Sequence, residues 1–192
     1  MTNPTTTTTT TKNIRPLSRY ITTHSPTTNL AIFSSHLPSP MPVQEISDSA
    51  KAHFSLVYTT DTFPANLSNE ADIPAYASYL SHPPGITIST GSVCRIVDIP
   101  PHATSPMHRT VSIDYGVVLE GEVELVLDSG QSRVLGRGDV AVQRGTNHAW
   151  RNVTPDGTEG EGRWARMLYV LLPAVGVDLG ESLGGIGVRD ST

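Results

Sequence analysis

Between residues 91 and 175 the chain is a succession of seven short segments, each β-branched or alternating apolar and polar, with almost nothing helical between them. They occupy residues 92–99, 110–119, 122–127, 131–135, 139–143, 148–152 and 164–172, and Gly, Asp or Pro separates many of them. Parallel neighbours need crossovers of about a dozen residues, usually helical. These connections are too short for that, so the expected fold is all-β, an antiparallel sandwich or closed barrel. Residues 128–130, Asp-Ser-Gly, read as the turn of a hairpin, with Gly130 free to take the positive φ that a tight turn needs.

Composition then limits the chemistry. One Cys makes no internal disulfide, four-thiolate zinc site or Cys-x-x-Cys pair, so seven His and the carboxylates remain as candidate metal-ligating types. A net charge of -5 argues against a nucleic-acid partner, which would need a basic face. The longest apolar run, residues 167–175, is broken by Pro173 and falls short of the ~18 residues of a membrane span. The chain is read as soluble and cytoplasmic, without a membrane partner.

Charge is unevenly distributed. Residues 1–44 carry Lys12, Arg15 and Arg19 and no acidic residue, while all eighteen Asp and Glu lie beyond them. The run Thr5 to Thr11 has too few apolar groups to offset the entropy of ordering it, and residues 1–14 are read as a disordered tail. A basic, Ser/Thr-rich, acid-free N-terminus also fits a mitochondrial transit peptide, against which stand its two Arg and the lack of an amphipathic period. Residues 15–87 hold short β-like stretches at 19–23, 30–34 and 54–60, with a helical turn or two expected around residues 75–81 because Pro64, Pro74, Pro83 and Pro84 punctuate anything longer. The organisation expected is an irregular, strand-containing extension over 15–87, a barrel over 88–175 and a C-terminal loop over 176–192.

Period two sorts the side chains by face. His108, Thr110, Ser112 and Asp114 share one side of their strand, opposite Arg109, Val111 and Ile113. A row of imidazole, two hydroxyls and a carboxylate suits the lining of a polar pocket better than a core. His148, Trp150 and Asn152 share a face in the same way after Gly145.

These two stretches resemble the paired motifs of the cupin superfamily, small jelly-roll-like β-barrels. The family's first motif, G-x5-H-x-H-x3-E-x6-G, is matched by His102-x5-His108-x-Thr110-x3-Asp114-x6-Gly121. The second has its counterparts in Gly138, Arg144, Gly145, His148 and Asn152, with Arg144 directly before Gly145 where the family has Pro before its Gly. The wording around both motifs is similar to small fungal cupins of secondary-metabolite gene clusters, some named as cupin-domain oxidoreductases. The resemblance covers less than half the chain.

What it implies about chemistry turns on the departures. Metal-binding cupins hold iron, manganese, nickel or zinc with three His and one Glu. Here His108 and His148 are kept, Asp114 replaces Glu with a side chain shorter by about 1.5 Å, and Thr110 replaces the second His. Two imidazoles and a carboxylate suit non-haem Fe(II), with Mn, Ni or Zn as alternatives and Thr110 facing an open coordination position. The same three residues without a metal serve as acid and base for a lyase, isomerase or dehydratase. A third reading is a binding module that performs no reaction. Ser112, Arg144, Trp150 and Asn152 complete the expected pocket for a small, oxygenated, polyketide-like or aromatic molecule. Arg144 either binds a substrate carboxylate or pairs with a surface acid such as Asp139, and Trp150 either stacks on the substrate or fills the core. Cupin barrels commonly pair through edge strands, so a homodimer is expected, and a monomeric mass in solution counts against it.

Overall fold

The computed structural model describes residues 13–48 and 50–175. The disordered tail expected at the N-terminus falls almost wholly, and the C-terminal loop wholly, outside the described residues. Seven strands stand where the alternating segments predict them: β5 (Val93–Ile99), β6 (Ser112–Glu120), β7 (Val123–Leu127), β8 (Ser132–Leu135), β9 (Val140–Arg144), β10 (His148–Asn152) and β11 (Ala165–Pro173). Before them come β1 (Thr22–His24), β2 (Ala31–Phe33), β3 (Gln44–Glu45) and β4 (His53–Thr59), then one helix, α1 (Asp72–Ser81).

The strands form two facing antiparallel sheets and one separate hairpin. The larger sheet runs β3-β4-β5-β11-β6-β9, the smaller β10-β7-β8, and β1 pairs only with β2. Val97, Ile99, Val118, Ala141, Ala165 and Met167 of the larger sheet meet Val123 and Trp150 of the smaller in one apolar core, with Leu135 beside them. This is the barrel predicted, with one difference in what belongs to it. Strand β4, from the N-terminal extension, is hydrogen-bonded to β5 from His53↔Asp98 to Thr59↔Val93, so the extension supplies part of the barrel wall.

Two glycines are required by geometry. Thr60 N–H donates to the Ser92 carbonyl at 3.0 Å where β4 meets β5, and a Cβ on Gly91 would lie 1.7 Å from the Thr60 carbonyl oxygen. Gly121, the last residue of the first motif, turns β6 into β7 at φ +80°, and a Cβ there would meet the Thr154 hydroxyl at 2.4 Å.

Helix α1 is longer than the sequence suggests. It starts at Asp72 and runs through Pro74, because N–H groups of the first turn have no intrahelical acceptor and proline's missing donor costs nothing there. It docks on β4 through Tyr76, fully buried, whose hydroxyl donates to the Leu56 carbonyl at 2.8 Å. A buried ion pair ties the extension's start to the barrel. Arg166 on β11 holds Asp98 on β5 through a two-pronged contact at 2.6 and 2.9 Å, and its third nitrogen donates to the Arg15 carbonyl at 3.0 Å. Among the described residues no helix is long and apolar enough to cross a membrane.

Candidate active site

The inward faces of six strands enclose a cavity of about 330 Å³, within the usual range for small-molecule sites. Ala52, Phe54, Val97, Ile99, Trp150 and Leu171 make its apolar wall, and Arg95, His108, Asp114, Gln143, His148 and Tyr169 carry its polar groups.

His108 and His148 come together through the backbone. They form an isolated antiparallel bridge in which each N–H donates to the other's carbonyl at 2.9 Å, and this sets the ring centroids 4.5 Å apart. Each ring is fixed by a carbonyl two residues upstream: Nδ1 of His108 lies 2.9 Å from the Pro106 oxygen and Nδ1 of His148 2.9 Å from the Thr146 oxygen. A carbonyl only accepts, so Nδ1 carries the hydrogen in both rings, and Nε2 of the neutral imidazole is left as a lone pair for the cavity. Burial lowers the His148 pKa to about 4, against a weaker upward pull from the Thr146 carbonyl, with the neighbouring His108 adding to the depression. His148 is therefore a neutral acceptor at physiological pH.

Asp114, 5% exposed, stands on β6. Ser112 donates to its Oδ1 and Thr110 to its Oδ2 at 3.2 Å. Burial raises its pKa, while the two hydroxyls and His108 pull the other way. The carboxylate is thus held by the two hydroxyls the sequence places on its face. Among the described residues no group of three or more His, Cys, Asp or Glu side chains is placed to hold one ion. The donor set brought together is two imidazoles, one fewer than the three protein ligands on which catalytic zinc and iron centres are commonly built. As placed, the residues do not fit the three-ligand centre of His108, Asp114 and His148.

Comparison with known proteins places the chain in its family. The Cupin domain family pattern matches residues 95–160. A phomopsin biosynthesis cluster protein C' of Diaporthe leptostromiformis is 49% identical over 90% of this chain and 87% of its own length.

The chain is a cupin.

An oryzines biosynthesis cluster protein J of Aspergillus oryzae is 42% identical over 91% of the cupin described here and 96% of its own length. The cupin-domain-containing oxidoreductase virC of Hypocrea virens is 45% identical over 62% of this chain and 57% of its own. Relatives from fungal secondary-metabolite clusters thus share most of this cupin's length, extension included.

Not every residue singled out from the sequence reaches the cavity. His108, Asp114, His148 and Trp150 line it, Trp150 as a core residue 4% exposed with one edge on the pocket. Thr110 and Ser112 are not in the pocket's lining and hold Asp114 by hydrogen bonds, Thr110 bordering a neighbouring cavity. Arg144 is exposed at the end of β9 and borders a different, smaller recess with Arg109, because the burial pattern of β9 sends Ala141 and Gln143 inward and Val140, Val142 and Arg144 outward. Asn152 does not face the pocket. Its amide nitrogen donates among the carbonyls of Ile99, Pro100 and Arg163 at 2.9 to 3.0 Å, and its Oδ1 accepts from Thr154 N–H at 2.9 Å. It is a clamp joining the end of β10 to the segments beside β5 and β11.

Arg95, Gln143 and Tyr169 line the pocket and were not singled out from the sequence, although the first two had a signal there. Gln143, 4% exposed, follows from the inward register of Ala141. Arg95 follows from alternation with Val97 and Ile99, which makes it a cation on an otherwise apolar inward face.

Proposed function

We propose that this cupin is an enzyme of fungal secondary metabolism that moves a proton on a small oxygenated molecule, as an isomerase, cyclase or dehydratase does. The observation that carries this reading is the His108–His148 pair, two rings with anchored Nδ1 atoms and free Nε2 lone pairs facing an apolar cavity. Nε2 of His148, kept neutral by burial, accepts a proton from a carbon or hydroxyl acidified by an adjacent carbonyl. The same Nε2, once protonated, returns the proton to a second atom of the substrate, so an isomerisation balances without a co-reactant. Asp114 orients the site and offsets positive charge as an imidazolium forms.

A second reading is metal-dependent oxidoreduction, favoured by the names of relatives such as virC and by the Nε2 atoms themselves, since metal-bound imidazoles commonly donate their other N–H to a carbonyl. One experiment separates the two. The protein, purified without added metal and treated with chelator, is incubated in D2O with a panel of β-keto and β-hydroxy carbonyl compounds, and deuterium uptake and product are followed by NMR. The acid–base reading expects exchange under chelation that is lost in His148→Gln. About one Fe, Mn, Ni or Zn per chain, with activity abolished by chelation and restored by Fe(II), supports the second reading and sinks the first.

A further inference from the structure

The cavity holds a cation that neither the motifs nor the proton-transfer scheme uses. Arg95 is 7% exposed. It stands on the partition between the His108–His148 cavity and a neighbouring one of about 410 Å³, and with Phe54, Ile86 and Asp48 it borders both. Its guanidinium lies 4.9 Å from the centre of the Phe54 ring, and Nη2 donates to the Gly85 carbonyl at 2.8 Å. Among the described residues no carboxylate pairs with it. Asp98, three residues on, points to the other face and is taken by Arg166. The Oδ1 of Asp48 accepts the N–H groups of Ala50 and Lys51 at 3.0 Å each, and Asp114 is held by its two hydroxyls.

A buried guanidinium without a counter-ion is costly, because desolvation disfavours charge. Burial alone drags the Arg95 pKa down to about 10. Holding one loop carbonyl uses one of five N–H donors and needs no permanent charge. The remaining donors are a fork of the geometry that takes a carboxylate two-pronged. A phosphate fits less well: it carries up to two charges, and this site offers one guanidinium flanked by two acidic residues.

We propose that Arg95 is the anchor for a substrate carboxylate, so that the cupin acts on a small carboxylic acid whose reacting end lies against the His108–His148 pair and whose remainder extends toward the neighbouring cavity. This rests on the proton-transfer site being where the substrate binds, but not on the reaction assigned to it. The residue is a binding residue, and its partner is named by charge and shape.

The test reads binding rather than turnover. Benzoate, trans-cinnamate and hexanoate are titrated into the full chain by calorimetry, each against its neutral amide. At least one acid is expected to bind, with its amide weaker by on the order of 10-fold or more, the size of a charge-assisted hydrogen-bonded contact. Arg95→Met should bring the acid to the level of the amide, and Arg95→Lys should recover part of the difference. His148→Gln should still bind the acid, so a wrong assignment of the reaction and a wrong anchor give different results. Should Arg95→Met fail to fold, the Nε–H resonance of Arg95 in the wild type, identified by its loss in Arg95→Lys, is expected to shift with the acid and not with the amide. Binding of no acid in the panel, equal binding of acid and amide, or an unmoved Arg95 resonance overturns the proposal.

Discussion

The depressed pKa of His148 makes stability depend on pH in a way that one substitution removes. Folded, its imidazole titrates at about 4, and unfolded it returns to the ordinary value of 6.5. As pH falls through 6.5 the unfolded chain takes up a proton that the folded chain refuses, so the equilibrium shifts toward unfolding until about pH 4. Between pH 7.5 and 5.0 those two values give a loss of about 2 kcal/mol, out of a ceiling near 3 kcal/mol when the window is crossed completely. Asp114 works in the opposite sense, since its raised folded value makes the native state take a proton first. The wild-type curve is therefore a sum, and the difference from His148→Gln isolates the histidine. Gln keeps an N–H for the Thr146 carbonyl but has no titration. Urea unfolding at pH 7.5 and 5.0, in chelator and followed by tryptophan fluorescence, should show the wild type losing about 2 kcal/mol more than the variant. Equal losses, within about 0.5 kcal/mol, would refute the claim that His148 is buried neutral.

Two further outcomes test the frame around the site. Asn152→Ala removes an amide surrounded by three carbonyls and one N–H, and should lower stability by about 2–3 kcal/mol, read as a fall in Tm of roughly 4–12 °C; a Tm within a degree of wild type would show that the clamp contributes little. Asp98→Asn leaves the Arg166 guanidinium buried, with Glu120 at 3.6 Å as its remaining acidic neighbour, and should cost about 3 kcal/mol. Because Arg166 also holds the Arg15 carbonyl, amide exchange in the residues around Arg15 should quicken in the same variant, and unchanged protection there would separate the ion pair from the docking of the extension.

The strands were legible because their signal is local. Alternation with period two and the turn residues between segments do not depend on what lies opposite, and the seven strands β5 to β11 stand where that pattern puts them. The family motifs likewise rest on spacing along one chain, and they led to His108, Asp114 and His148. The same local rule contains Gln143 and Arg95, which lie on β9 and β5 away from the motif positions. Asn152 was a different kind of miss. Period two correctly turns it inward with His148 and Trp150, but nothing in sequence says that the carbonyls of Ile99, Pro100 and Arg163 will meet it there.

By itself, then, the sequence determined where the barrel strands lie, the antiparallel class and the alternation of faces along each strand, all of which follow from backbone geometry over a few residues. The tertiary structure decided who meets whom. It joined β4 of the extension to the barrel, bridged His108 to His148 across forty residues, turned two hydroxyls onto Asp114 and, among the described residues, left Arg95 without an anion. Such facts depend on contacts between segments distant in the chain, where burial and the exclusion of water set protonation and pairing. A linear pattern carries no record of the dielectric its residues will face.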